Sequence, residues 1–387
     1  MRYLALAAIL LAAAPVPSHS RYLVSWGMES RVFPGDGIGH DFIAVFDIGD
    51  QANFGRLVAM LPVETRAQMA HHTNSTMPPN HLVFANDFMA DRSYIFDLND
   101  PLKPRVAASF TDAGPYSHPH SFAYLSSGNV LAAFQLKGAD APGGLVELDS
   151  KGNAIRASGA SDVGVDPNVR PYSVLAIEAL DRVVTTTAPM TPLETREPTH
   201  SVQVWRLSDL KLLKTVMLPE PKPYAVARDY TDDAALLSDG KTVLVKTSRC
   251  GLFALNDLTE ENPSAQFVYD YGGRGCDGVP FVVGNYYVQA TKTEHSIVAL
   301  DVRDPSHPVE AGRLYLGPAA LPHWLSLEPG TNRFVITGYG SIRTSIHFAT
   351  IDLHTGALAL EPYSIDFNRK WPDGWDGPAI PHGTVFY

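Results

Sequence analysis

Four short segments of this chain open on a histidine in the same setting: His72 in His71-His72-Thr73, His120 in Pro119-His120-Ser121, His323 in Pro322-His323-Trp324 and His382 in Pro381-His382-Gly383. If the segments are equivalent parts of units set around an axis, their imidazoles meet at one place. Three or four imidazoles without a thiolate suit copper, zinc, iron or nickel. Neighbouring side chains on a regular strand point to opposite faces. His71 and His72 can therefore reach one metal together only where the backbone is irregular, and register alone favours His72. Two further units open on tyrosine, in Pro171-Tyr172-Ser173 and Pro223-Tyr224-Ala225, and Asp277 borders another opening. A phenol or carboxylate there can orient an imidazole, bind substrate or move a proton. A tyrosine can equally seal a channel by packing, its hydroxyl on a backbone carbonyl. His40, His81, His200, His295, His307, His347 and His354 stand away from these openings and read as surface or packing residues.

The elements that must position these residues form a repeat. Short apolar segments at 41–48, 92–98, 143–149, 201–207, 251–258, 295–302 and 346–353 each close on a polar residue. The closing anchors Asp47, Asp97, Asp149, Arg206, Asn256, Asp301 and Asp352 lie 50, 52, 57, 50, 45 and 51 residues apart. A period near fifty along the whole chain marks a radial array of small sheets, none of which can bury its faces alone. The expected fold is all-β, a seven-bladed β-propeller of four-stranded blades. Residues 21–63 supply three strands without an opening strand, and residues 381–387 an opening strand without a blade, so the two ends should complete one sheet. The anchors read as turn formers. Inserts at 35–40, 190–200 and 368–378 read as loops; the last carries Trp371 and Trp375 just before His382 and is either a lid or a loop packed on the rim.

Composition agrees with this. Thirty prolines, thirty glycines and only 18% charged residues suit many strands joined by tight turns. A net charge of −11 with scattered lysines and arginines leaves no basic stripe for a nucleic acid. Residues 1–20 pair Arg2 with an apolar run and a small, polar end, the build of a secretory signal, and leave residues 21–387 as a single domain. No later stretch reaches membrane-spanning length. The expected location is periplasmic or secreted. The two cysteines, Cys250 and Cys276, either pair across adjacent blades in such a compartment or serve as small core residues.

The stretch from Leu61-Pro62-Val63 to Ala70-His71-His72-Thr73, the Pro119-His120-Ser121-Phe122 element, the segment 201–210 and the closing Ile380-Pro381-His382-Gly383 resemble the selenium-binding protein and methanethiol oxidase family. The resemblance implies a seven-bladed propeller and a copper-dependent oxidation of methanethiol to formaldehyde, hydrogen sulfide and hydrogen peroxide. It also implies that His71, His72, His120 and His382 hold the metal. This chain departs from the family at Asn53-Phe54-Gly55, where members studied for selenium binding carry a cysteine, so selenium binding through that stretch is not expected. His323 is an additional histidine without a clear family counterpart.

The combined expectation is an exported copper oxidase whose partners are a small-molecule thiol and dioxygen. His71, His72, His120, His323 and His382 are the candidate ligands, and Asp277, Tyr172 and Tyr224 the candidate catalytic groups. The alternatives are a metal-assisted hydrolase of the lactonase type, which needs carboxylates in the channel, and a non-catalytic binding propeller, which needs no histidine cluster.

Overall fold

The computed structural model describes residues 19–167, 169–190, 199–220, 229–273 and 275–387. Residues 1–18, which carry most of the expected signal, and Tyr224 lie outside the described residues. Seven antiparallel sheets follow one another around a ring, each strand pairing with its neighbour in sequence. The second blade, for example, runs Ala70–Thr73, Leu82–Asp87, Arg92–Asp97 and Arg105–Phe110, and the third Tyr116–Tyr124, Val130–Lys137, Gly144–Leu148 and Ala154–Gly159. Among the described residues the only helices are two single 3-10 turns, Gln51–Asn53 and Glu178–Leu180, and no helix is long and apolar enough to cross a membrane.

The period near fifty reflects how each blade buries its faces. Middle strands are covered on both sides by neighbouring blades, so Asp41–Asp47 and Gly144–Leu148 are buried at every position and read as continuous runs rather than alternations. Outer strands such as Arg105–Phe110 face solvent along much of their length. Apolar clusters bridge neighbouring blades: Phe84 and Ile95 of the second pack with Phe122, Val130 and Phe134 of the third. The anchors lie at the outer hairpins, where Asp97, Asp149, Asp301 and Asp352 each accept a hydrogen bond from the backbone N–H two residues on. They make turns, as expected of Asp at these places.

Ring closure follows the complementary ends. Asp376–Phe386 pairs antiparallel with Tyr22–Glu29, through Leu23 with Phe386, Val24 with Val385 and Ser25 with Thr384. This sheet differs from expectation in one respect. The 368–378 insert is not loop throughout: Asn368–Lys370 pairs with Asp376, Gly377 and Pro378 as a fifth strand. Trp371 is buried against Phe42, at 4.7 Å between ring centroids, and Phe367, at 5.3 Å. An indole packed into the core cannot serve as a moving cover, so the insert is a rim element.

The fifth blade corrects a second expectation. Its opening strand is Thr231–Leu236, paired with Val243–Thr247. The hairpin at residues 237–242 fixes that pairing, since the Leu237 N–H donates to the Thr242 carbonyl and Asp239 accepts from the N–H groups of Lys241 and Thr242. Asp232-Asp233 therefore stand where the Pro223-Tyr224 element was expected to open the blade, and Tyr224 itself lies outside the described residues. Cys250 and Cys276 form a disulfide across the junction of the fifth and sixth blades. Closing a loop of 26 residues contributes about 3 kcal/mol by restricting the unfolded chain.

Candidate metal centre

The openings of the blades share a backbone irregularity. The pairing register shifts between Ala70 and Thr73, between Pro119 and Ser121, and between Pro322 and Trp324. A corresponding shift falls between Ser25 and Gly27, opposite Pro381–Thr384. A bulge bends the strand and re-aims its side chains. It suspends the alternation that would separate His71 from His72, whose rings stack at 4.0 Å between centroids. Asn86 holds this bulge in place. Its Oδ1 accepts from the His72 N–H at 2.6 Å, and its Nδ2 donates to the Pro119 carbonyl at 3.2 Å, so the two adjoining openings are tied to one side chain.

All five candidate ligands come together. His71 lies 5.1 Å from His120, 4.3 Å from His382 and 6.2 Å from His323, between centroids. His72 lies 4.5 Å from His120 and 5.5 Å from His382, and His323 lies 4.9 Å from His382. Two triads, His71/His72/His120 and His72/His323/His382, each bring three ligand atoms within 4.8 Å of one another and share His72. Every ring is almost fully buried.

Buried polar atoms in folded proteins are nearly always partnered, yet these are not. Both ring nitrogens of His71 and of His323, Nε2 of His72 and of His120, and Nδ1 of His382 have no hydrogen-bond partner. The remaining nitrogens of two rings set orientation. His120 Nδ1 lies 2.9 Å from the Tyr172 carbonyl, which can only accept, so Nδ1 carries the proton and Nε2 is left as a lone-pair donor. His382 Nε2 lies 3.0 Å from the Tyr339 hydroxyl, turning Nδ1 inward. Burial, reinforced for His382 by Lys292 and His120, pushes His120 and His382 down to about 3. Burial and the neighbouring imidazoles hold His71 and His72 well below the usual range, and burial, Lys292 and the imidazoles do the same for His323. Five neutral imidazoles with free lone pairs are the state a divalent metal requires. The donor set fits copper.

Charged residues stand beside the cluster. Lys246 is fully buried and lies 3.1 Å from Asp232, while Asp233 beside it has an unpartnered Oδ2. Burial raises Asp232 to about 7 and Asp233 to about 6, even against the attraction of Lys246. Asp277 lies 2.5 Å from Lys292; burial pushes its carboxyl up, but Lys292 and Lys246 outweigh that and leave it below the ordinary range. Lys292 also sits over the Tyr339 ring at 4.9 Å. A cavity of about 400 Å³ is bounded by Tyr172, Met190, Asp232, Arg249 and Asp277, and a second of about 180 Å³ by His72, Ser121, Ser173, Asp233 and Trp324.

Of the candidate catalytic groups, Tyr172 packs on the cluster, with its ring 3.9 Å from that of His120, and Asp277 bounds the larger cavity together with Tyr172. Asn86, Asp232, Asp233, Lys246, Lys292 and Tyr339 were not marked by sequence reading. The signal for Asp232-Asp233 was available, since the pair opens an apolar run as the Pro-His elements do. Tyr339 and Lys292 carried none, because they lie at or beyond the far ends of second strands and reach the channel only through the ring geometry. Histidines away from the openings do pack locally, as with His40 Nδ1 and the Val63 carbonyl at 2.7 Å and His295 Nδ1 and the Ala320 carbonyl at 2.7 Å.

No protein-family model matches the chain. A curated relative, the methanethiol oxidase of Hyphomicrobium sp., is 26% identical over 170 residues, a match spanning 41% of this chain and 38% of the relative. Among solved structures, a hypothetical selenium-binding protein from Sulfolobus tokodaii superposes with a TM-score of 0.76 at 13% identity, covering 96% of this chain and 94% of its own. The periplasmic gluconolactonase of Pseudomonas aeruginosa superposes with a TM-score of 0.66 at 12% identity, covering 94% and 98%. The likeness to the selenium-binding protein and methanethiol oxidase family thus holds in sequence and in fold, and the lactonase likeness is one of fold.

Proposed function

We propose that this protein is a copper-dependent oxidase of a small thiol, similar to methanethiol oxidase, and that it works in the periplasm or outside the cell. The observation that carries the reading is the set of unpartnered nitrogens on five buried imidazoles. A buried site would not maintain so many such atoms without a ligand to satisfy them. His71, His72, His120, His323 and His382 would hold the ion, and the Tyr172 carbonyl and Tyr339 hydroxyl would fix two of the rings. Bound copper would supply a one-electron couple and a soft site for thiolate. With methanethiol the overall change consumes one molecule each of the thiol, dioxygen and water, and yields one each of formaldehyde, hydrogen sulfide and hydrogen peroxide. The disulfide supports export, because such bonds persist in oxidising compartments.

A metal-assisted hydrolase is the competing reading, and Asp232 and Asp233 give it channel carboxylates that the sequence had not marked. Asp232 is taken up by Lys246, and neither carboxylate joins either histidine triad, which counts against it. The test is metal analysis of purified protein, followed by oxygen uptake and peroxide formation with methanethiol and other small thiols. Copper near stoichiometric amounts with thiol-dependent uptake is expected. Bound zinc, or copper-loaded protein without uptake on any thiol, would refute the oxidase.

A further inference from the structure

The oxidase reading leaves one chemical need unmet by the imidazoles. A small alkyl thiol is protonated at neutral pH, whereas the thiolate is the nucleophilic and metal-binding form. Neutral imidazoles occupied by a metal have no lone pair left to take that proton. The acceptor must come from another wall of the cavity that the substrate enters.

Of the two cavities described above, the smaller one is bounded by a cluster histidine, His72. Its volume, about 180 Å³, is close to that of engineered cavities of about 150 Å³ that admit benzene, so methanethiol and somewhat larger thiols fit. Asp233 bounds the same cavity. It is 8% exposed, its Oδ2 has no hydrogen-bond partner, and the ammonium of the neighbouring Lys246 is bonded to Asp232 instead. Asp232 faces the larger cavity. The strand Thr231–Leu236 places these neighbouring carboxylates in different cavities, and only Asp233 shares one with a candidate ligand.

We infer that Asp233 is the general base of thiol oxidation, taking the proton of a small neutral thiol bound in the cavity it shares with His72. The S–H bond breaks heterolytically, the proton passes to the Asp233 carboxylate, and the electron pair stays on sulfur. The groups facing Asp233 are Lys246, Asp232, Asp277, Tyr172 and Tyr287. Burial places its carboxyl at about 6, ionised at neutral pH yet a better proton acceptor than an exposed aspartate.

This inference rests on the oxidase reading, and the experiment separates the two. Copper-loaded native protein, Asp233→Asn and Asp233→Glu are compared for copper content, for azide binding, for methanethiol oxidation from about pH 6.5 to 9 and for proton release on methanethiol binding without oxygen, measured calorimetrically in buffers of different ionisation enthalpy. The asparagine variant should keep its copper and its azide affinity, and lose about 100-fold in rate at neutral pH. Its rate should then climb about tenfold per pH unit as solvent supplies the thiolate, while the native rate is nearly flat. Native protein should release no proton on binding, the asparagine variant one, and the glutamate variant should recover rate. Native-like rate, pH profile and proton release in Asp233→Asn would overturn the inference while leaving the oxidase intact. Methanethiol binding without turnover in native protein would overturn the oxidase, and the proton count would still decide the role of Asp233. Absence of methanethiol binding to copper-loaded protein would overturn both.

Discussion

Asn86→Ala tests whether one buried amide holds the histidine cluster together. The side chain is fully buried and ties the His72 N–H to the Pro119 carbonyl, at 2.6 and 3.2 Å. Its backbone carbonyl, which accepts from the Trp26 indole at 2.9 Å, is unaffected by the change. Truncation leaves one donor and one acceptor buried and unpaired, at about 1–3 kcal/mol each, so the metal-free protein should lose about 2–6 kcal/mol in urea unfolding. The bulge that turns His71 and His72 to the same side should also relax, lowering copper affinity about 10–100-fold, as expected for a residue that supports ligands. Asn332→Ala serves as control: its Nδ2 donates to the Ile351 carbonyl at 2.8 Å on the seventh blade, away from the cluster. Urea unfolding with and without copper, and competition titration against a chelator, give both quantities. If Asn86→Ala binds copper like native protein and is no less stable than the Asn332→Ala control, the amide neither shapes the site nor supports the junction.

Three further expectations follow from the same geometry. Because His72 belongs to both triads, His72→Ala should abolish copper binding, whereas His71→Ala and His323→Ala, each removing a member of one triad, should weaken it; metal stoichiometry after dialysis decides this. Replacing Cys250 and Cys276 together by serine should cost about 3 kcal/mol yet leave copper content and thiol oxidation intact, since the bond lies at a blade junction outside the ligand set. Burial and the neighbouring Asp41 raise the Asp87 carboxyl to about 9. A raised acid destabilises the fold as pH climbs from its unfolded value near 4 towards that figure, so metal-free protein should lose stability from about pH 7 to 9. Asp87→Asn should flatten that decline, and an unchanged slope in pH-dependent urea unfolding would count against a protonated Asp87.

How far the sequence disclosed the fold depends on which interactions are local. The aspartate anchors were legible because such residues make their own turns within two residues, as Asp97 does with the Asn99 N–H. The missing opening strand at one end and the missing blade at the other were legible because a ring must close. Asn368–Lys370 was not, since its strand character depends on pairing with Asp376–Pro378, across a turn whose Trp371 is buried among residues distant in sequence. The histidines were visible as repeated Pro-His openings, but the joint use of His71 and His72 was not, because alternation is broken by an irregularity that Asn86 holds from another strand.

The charged wall shows the same division more sharply. A search for the opening residue of the fifth blade by its proline and aromatic neighbours stops at Tyr224, while the hairpin at 237–242 fixes the strand and makes Asp232 and Asp233 the true equivalents of Tyr172 and Ser173: Thr231 pairs with Thr247 and Ala234 with Val245, across the same kind of register shift that separates Pro171 from Val174. The ring therefore presents imidazoles from the second, third, seventh and closing sheets and carboxylates from the fifth and sixth. Buried carboxylates raise the cost of leaving charge uncompensated, which accounts for Lys246 and Lys292 standing beside them. Those ammonium groups in turn disfavour protonation of His323, and Lys292 that of His382. Burial is the larger cause of neutrality at all five rings, and the lysine partners of the acidic residues add to it at His72, His323 and His382, so the charge arrangement and the metal-binding capacity of the channel are electrostatically linked.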